Sequence, residues 1–190
     1  MRMHVSQAKR MALLGVMAAV AIVFLLLGTI IPVNTLFFTA AAAFLAGMAA
    51  VLFGGRLGFA FYAACGTLDF FLNPNKLHVL LYLMLAGYTL LSEIIWKGME
   101  KNPDGAPDSA FAGRKKEWIH RGIRFILFLI LYVPLLLFVP ELLVSADIGE
   151  HRWFYVIMLA VGLITWIIFD LAYVICKRFL LKIWKEKVRE

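Results

Sequence analysis

The side chains that could do chemistry in this sequence are sparse, and their spacing argues against catalysis. Histidines stand at positions 4, 78, 120 and 151, too scattered to converge as metal ligands. Ser92, Ser109 and Ser145 lack the His and acid partners that activate a hydroxyl. There is no GxSxG, HExxH or Walker A sequence and no pair of glutamates on an apolar stretch. Three acids lie within or at the ends of apolar runs, where a charge is costly and marks a functional hypothesis. Glu93 precedes Lys97 by one helical turn, a spacing that lets the two pair at a membrane interface. Asp170 has either Arg124 or a partner protein as its counterpart. Asp69 sits beside Asn73, Asn75 and Lys76, which fits either a pocket or a helix cap.

These groups must be positioned by membrane-spanning helices. Of 190 residues, 63% are hydrophobic and 16% charged, an apolar share well above the roughly half that is usual in soluble domains. The apolar residues fall in runs near the ~20 that cross a bilayer core. Spans are expected at about 11–31, 35–53, 57–72, 77–96, 123–139 and 153–176. Pro32, Gly54-Gly55, Asn73-Pro74-Asn75 and Pro140 mark the breaks. The third run is short. The segment 97–121 is expected to be an exposed loop, and the tail 179–190 a basic amphipathic helix lying on the membrane. The first apolar run is too long for a signal peptide core and has no small-x-small cleavage site, so it reads as an uncleaved helix. The expected fold is all-α, six transmembrane helices in one bundle that forms a single domain.

Lys and Arg crowd the N-terminal segment, the turn at Arg56, the 97–121 loop and the tail, whereas the alternate connections hold only Lys76 and Arg152. By the positive-inside rule both termini are cytoplasmic, in a bacterial plasma membrane. The net charge of +7 therefore serves lipid headgroups and topology rather than nucleic acid. Cys65 and Cys176 lie in separate apolar stretches and read as small core residues, neither disulfide nor metal ligands. No cofactor is expected.

The outer side then gathers Asn34, Asp69, Asn73, Asn75, Lys76, His78, Tyr82, Glu141, Asp147, His151, Arg152 and Trp153. Most of these should simply be wet. Convergent polar groups with aromatic walls are what a solute pocket needs, so Asn34, Asp69, Asn73, Asn75, Lys76, Tyr82, Glu141 and Trp153 are the candidate binding residues. A second pattern is a row of small residues, Ala8, Ala12, Gly15 and Ala19, in the first span, with Ala42, Ala46 and Ala50 in the second. Such rows let helices approach closely, either inside the bundle or against another membrane protein.

The basic N-terminus running into Met11-Ala-Leu-Leu-Gly-Val-Met-Ala-Ala19, the Ile31-Pro32-Val33-Asn34 turn, and Asn73-Pro74-Asn75-Lys76-Leu77 leading to Tyr82 and Gly87-Tyr88 carry a resemblance. Over most of its length the chain resembles the substrate-binding S component of energy-coupling factor transporters, or an orphan Firmicutes membrane family related to it. The resemblance implies capture of a vitamin or similar small solute from outside, with no hydrolysis by this chain. It also implies docking on a transmembrane coupling subunit driven by cytoplasmic ATPases, through a row that maps to Ala8, Ala12, Gly15 and Ala19. Gly15 stands where that family has alanine. The stretch from Gly58 to Tyr88 is also similar to the cell-shape membrane protein MreD, which implies instead a non-catalytic scaffold of cell-envelope synthesis.

Overall fold

The computed structural model describes residues 7–31, 34–101, 110–138 and 152–187, and these are helical but for short turns. The helices are α1 (Gln7–Ile30), α2 (Thr35–Phe53), α3 (Gly55–Leu72), α4 (Lys76–Lys101), α5 (Ala110–Phe138) and α6 (Arg152–Lys187). Four segments are long and apolar enough to cross a membrane: Gln7–Ile30, Thr35–Phe53, Lys76–Met99 and Leu159–Lys182. The chain divides into two compact units, Met1–Leu127 and Phe128–Glu190.

In the first unit, α2 packs against α1, α3 and α4. Its composition explains that place. Ala42, Ala43, Ala46 and Ala49 are wholly buried, so neighbouring backbones come close on several sides. The Ala42, Ala46 and Ala50 row is thus spent inside the bundle. At the α2–α3 crossing a Cβ added to Gly58 would lie 2.6 Å from Ala50 Cα, so only glycine fits. The chain reverses between these helices at Gly54, whose φ of 102° is the left-handed region that favours glycine. α3 buries Gly58, Phe61, Cys65 and Asp69 on one stripe at helical spacing.

Polar side chains tie the helices across this apolar core. The Thr89 hydroxyl shares its proton between Ala43 O at 2.9 Å and Ala86 O at 3.0 Å. Lys97 Nζ donates to Ala50 O and Val51 O, the last carbonyls of α2, where a cation complements the helix dipole. Glu93, one turn before Lys97, is buried in the same region, 3% exposed. The first half of α5 runs antiparallel to α4. Trp96 meets His120 with ring centroids 4.7 Å apart, and the Arg124 guanidinium stands 5.9 Å from the Tyr88 ring.

In the second unit Phe128 stacks on Trp166 at 5.5 Å and on Tyr132 at 5.0 Å, with Gly162 making room for the Tyr132 ring. Pro134 lies inside α5 and leaves one carbonyl of the preceding turn without its helical donor. α6 presents Val161, Ile164, Ile168, Leu171 and Ile175 outward. In water such a stripe would be an aggregation surface; in hydrocarbon it is an ordinary lipid face.

Two stretches differ from the sequence expectation. The basic run Arg114-Lys115-Lys116 is helical, because α5 begins at Ala110, so only the part of the 97–121 loop at 102–109 lies outside the described residues. The tail does not form a separate helix up to Lys187. It continues α6 through Lys177 and Arg178, and the 36 residues of α6 extend about 54 Å at 1.5 Å per residue.

Candidate functional site

The end of the first unit formed by the α1–α2 and α3–α4 turns holds a buried polar network, and local chain chemistry builds it. Pro74 bars its predecessor from helical geometry, so α3 stops at Leu72 and Asn73 turns extended, with φ −96° and ψ 121°. Asn73 N still donates to Asp69 O at 2.8 Å. Its side-chain Oδ1 accepts from Asn75 N at 3.2 Å, a short Asx turn. Asn75 Oδ1 then caps α4 by accepting from Leu77 N at 3.1 Å. This tight connection directs both Asn73 and His78 inward, where they are 0% and 4% exposed.

Once inside, the bonding roles are forced. Because a backbone amide only donates, Asn73 Oδ1 must face Asn75 N, and Asn73 Nδ2 must face the core. There Nδ2 donates to His78 Nδ1 at 2.8 Å and to Asp69 Oδ1 at 3.4 Å. His78 Nδ1 is therefore an acceptor, and the proton of the neutral ring sits on Nε2. Nε2 lies 2.9 Å from Thr39 Oγ1, which in turn donates to Thr35 O at 2.7 Å. The directions agree along the whole chain of bonds. α1 supplies the space: a Cβ on Gly28 would stand 2.9 Å from His78 Nε2. Thr35 Oγ1 pins the same glycine by donating to its carbonyl at 2.8 Å. Four helices thus meet at one imidazole.

Two groups of the network keep unused capacity. No donor among the described residues bonds Asp69 Oδ2, which lies 3.8 Å from His78 Nδ1, itself an acceptor in this arrangement. Tyr82, one turn beyond His78 and 0% exposed, stacks on Tyr62 with centroids 6.4 Å apart. Its hydroxyl has no hydrogen bond of ordinary geometry; the Cys65 thiol is the polar group beside it. Buried acceptors and donors without partners are uncommon and call for an occupant or a function.

Comparison with protein-family models, with curated proteins and with solved structures finds no match for this chain. The site must be read from its own geometry.

Of the eight expected binding residues, Asp69, Asn73 and Tyr82 are brought together in the core. Asn75 and Lys76 are exposed and serve the turn: Asn75 caps α4, while Lys76 Nζ donates to Phe70 O and Asn73 O and lies 4.2 Å above the Phe70 ring. Asn34 is exposed at the start of α2 without a side-chain cap bond. Glu141 lies outside the described residues, and Trp153 belongs to the first turn of α6, in the other unit. Ala8, Ala12, Gly15 and Ala19 are all exposed along α1, and nothing lies within 4 Å of a Cβ at Gly15. Thr39 and Gly28 were not among the expected residues, and His78, grouped with the wet ones, is the centre of the network. A signal was available. Thr35 and Thr39 are one turn apart at the Asn34 end of an otherwise apolar span, which puts two hydroxyls at the depth of Asp69.

Proposed function

We propose that this chain is a multispanning protein of the bacterial plasma membrane, with six spans and both termini cytoplasmic, that binds a small solute at the Asp69–Asn73–His78–Tyr82 end of its first unit. The observation that carries this reading is the buried Asp69 carboxylate, one oxygen of which has no hydrogen-bond partner among the described residues. A purely structural bundle in lipid gains nothing from an unfilled acceptor, whereas a solute with N–H or O–H groups would satisfy it. The charge distribution supports an outward-facing site. Lys9, Arg10, Arg56, Lys97 and Lys101 cluster at the opposite end of α1–α4, and Lys76 alone stands at the polar end.

The resemblance to S components adds the remainder: capture of a vitamin-like solute without catalysis, and docking on a coupling subunit with cytoplasmic ATPases. The exposed row Ala8, Ala12, Gly15 and Ala19 suits such lateral contact. The same row favours a second reading, an envelope-synthesis scaffold like MreD, which needs the row and not the polar network. Affinity purification of the tagged chain in mild detergent, with mass spectrometry of associated proteins and small molecules, separates the two. A bound small molecule with a coupling subunit and ATPases supports the first; cell-wall enzymes with no small molecule overturn it in favour of the scaffold.

A further inference from the structure

We infer that His78 is a proton-operated latch on the α3–α4 turn, with Asn73 and Asp69 as its alternative partners. This deepens the reading above, because the oxygen that the latch would occupy is the one left for the solute. In the structure the neutral ring accepts from Asn73 Nδ2 through Nδ1, and Nε2–H faces Thr39. A proton taken from water onto Nδ1 turns that acceptor into a donor and sets it against Asn73 Nδ2 at 2.8 Å. Two donors cannot share that contact, so it must open. Among the described residues, the acceptor that stands beside Nδ1 without a hydrogen bond is Asp69 Oδ2, at 3.8 Å. Closing that gap exchanges a neutral amide partner for a charge-assisted one.

The surroundings leave this exchange to the three residues. α1 faces the ring with Gly28, and α2 with Thr39, neither of which titrates. α3 contributes Asp69, and further along Cys65 beside Tyr82. α4 itself carries Tyr82 one turn away and Lys76, whose ammonium is held outside by Phe70 O and Asn73 O. The released Asn73 is the piece that holds the turn. Its Oδ1 fixes Asn75 N, its carbonyl fixes Lys76 Nζ, and its amide closes α3. A proton on His78 is therefore transmitted to the cap of α4 and fills the free oxygen of Asp69, so proton and solute compete for one state of the site.

The test needs no solute. The full chain, carrying ¹⁵N in its histidine rings and backbone and ¹³C in its aspartates, is followed by NMR in lipid nanodiscs across pH. The latch requires the neutral His78 ring to hold its proton on Nε2. It also requires ring protonation, the Asp69 carboxyl signal and the Asn75 and Leu77 amide signals to move with one midpoint. In His78→Gln, which keeps a neutral donor and acceptor, those amide shifts should be lost. A neutral ring protonated on Nδ1 would overturn the inference. So would amides that stay still while the ring titrates, or that still move in His78→Gln. Since no solute is present, a protein that binds none can still show the latch, and a solute-binding protein with immobile amides rejects the latch alone.

Discussion

Replacing Gly28 by alanine, with the same substitution at Gly15 as its control, separates packing around His78 from helix propensity. Both glycines lie in α1, and each change gains up to about 1 kcal/mol of helix propensity. At Gly15 the new methyl meets nothing within 4 Å, so the variant should be neutral or slightly stabilised. At Gly28 the methyl would stand 2.9 Å from His78 Nε2 and 3.4 Å from Phe38 Cβ. The ring cannot swing away cheaply, because Thr39 and Asn73 hold it on both nitrogens. Overpacking a filled interior costs about 1–3 kcal/mol, and stretching the Nε2–Thr39 bond forfeits about 1 kcal/mol more. Set against the propensity gain, Gly28→Ala should lose about 1–3 kcal/mol. Thermal unfolding in detergent can be read with a thiol-reactive dye, since Cys65 is fully buried, in a Cys176→Ser background that removes the partly exposed thiol. The expected fall is roughly 2–4 °C per kcal/mol. A Gly28→Ala protein as stable as Gly15→Ala would refute the placement of α1 against His78.

Other outcomes follow from the same packing. Gly58→Ala should be the harsher glycine variant, because its methyl meets the Ala50 backbone at 2.6 Å, which no rotamer change relieves; the dye assay should show the larger loss. Lys97→Met keeps the apolar stem but strips the ammonium from Ala50 O and Val51 O, and should destabilise by about 1–3 kcal/mol, a charged hydrogen bond's worth, read by the same melt. Thr39→Val is nearly isosteric but removes the acceptor for Nε2–H, so it should weaken stability by about 1–3 kcal/mol and disturb the ring tautomer seen by ¹⁵N NMR. Thr39→Ser, which keeps the hydroxyl, should restore the tautomer.

Much of the helix order was legible because chain breakers are local. Pro32, Gly54-Gly55 and Asn73-Pro74 end helices through their own backbone restrictions, and α2 runs over the expected 35–53. Charge misled where it was read as structure. After Pro107 the residues Ala110 to Trp118 contain no proline and one glycine, Gly113, among good helix formers, so α5 starts early despite its lysines. Likewise nothing between Cys176 and Lys187 stops α6, and Lys177-Arg178 simply continue it. The network was only half legible. Asp69 and Asn73 announce themselves as polar groups at the end of an apolar run, but Thr39 lies 39 residues from His78 in sequence, and a lone helical threonine ordinarily bonds its own preceding turn. His78, two residues beyond a surface lysine, gives no sign in sequence that the Asn73 turn folds it inward.

The most direct test of the account is how much small molecule stays bound per mole of purified protein in wild type, Asp69→Asn, Tyr82→Phe and Gly15→Leu, counted by mass spectrometry after the same detergent extraction. Binding at the polar end predicts retention in wild type and Gly15→Leu and a loss of at least about tenfold in Asp69→Asn and Tyr82→Phe, the equivalent of about 1.4 kcal/mol. Equal retention in all four, or none in the wild type, would contradict it.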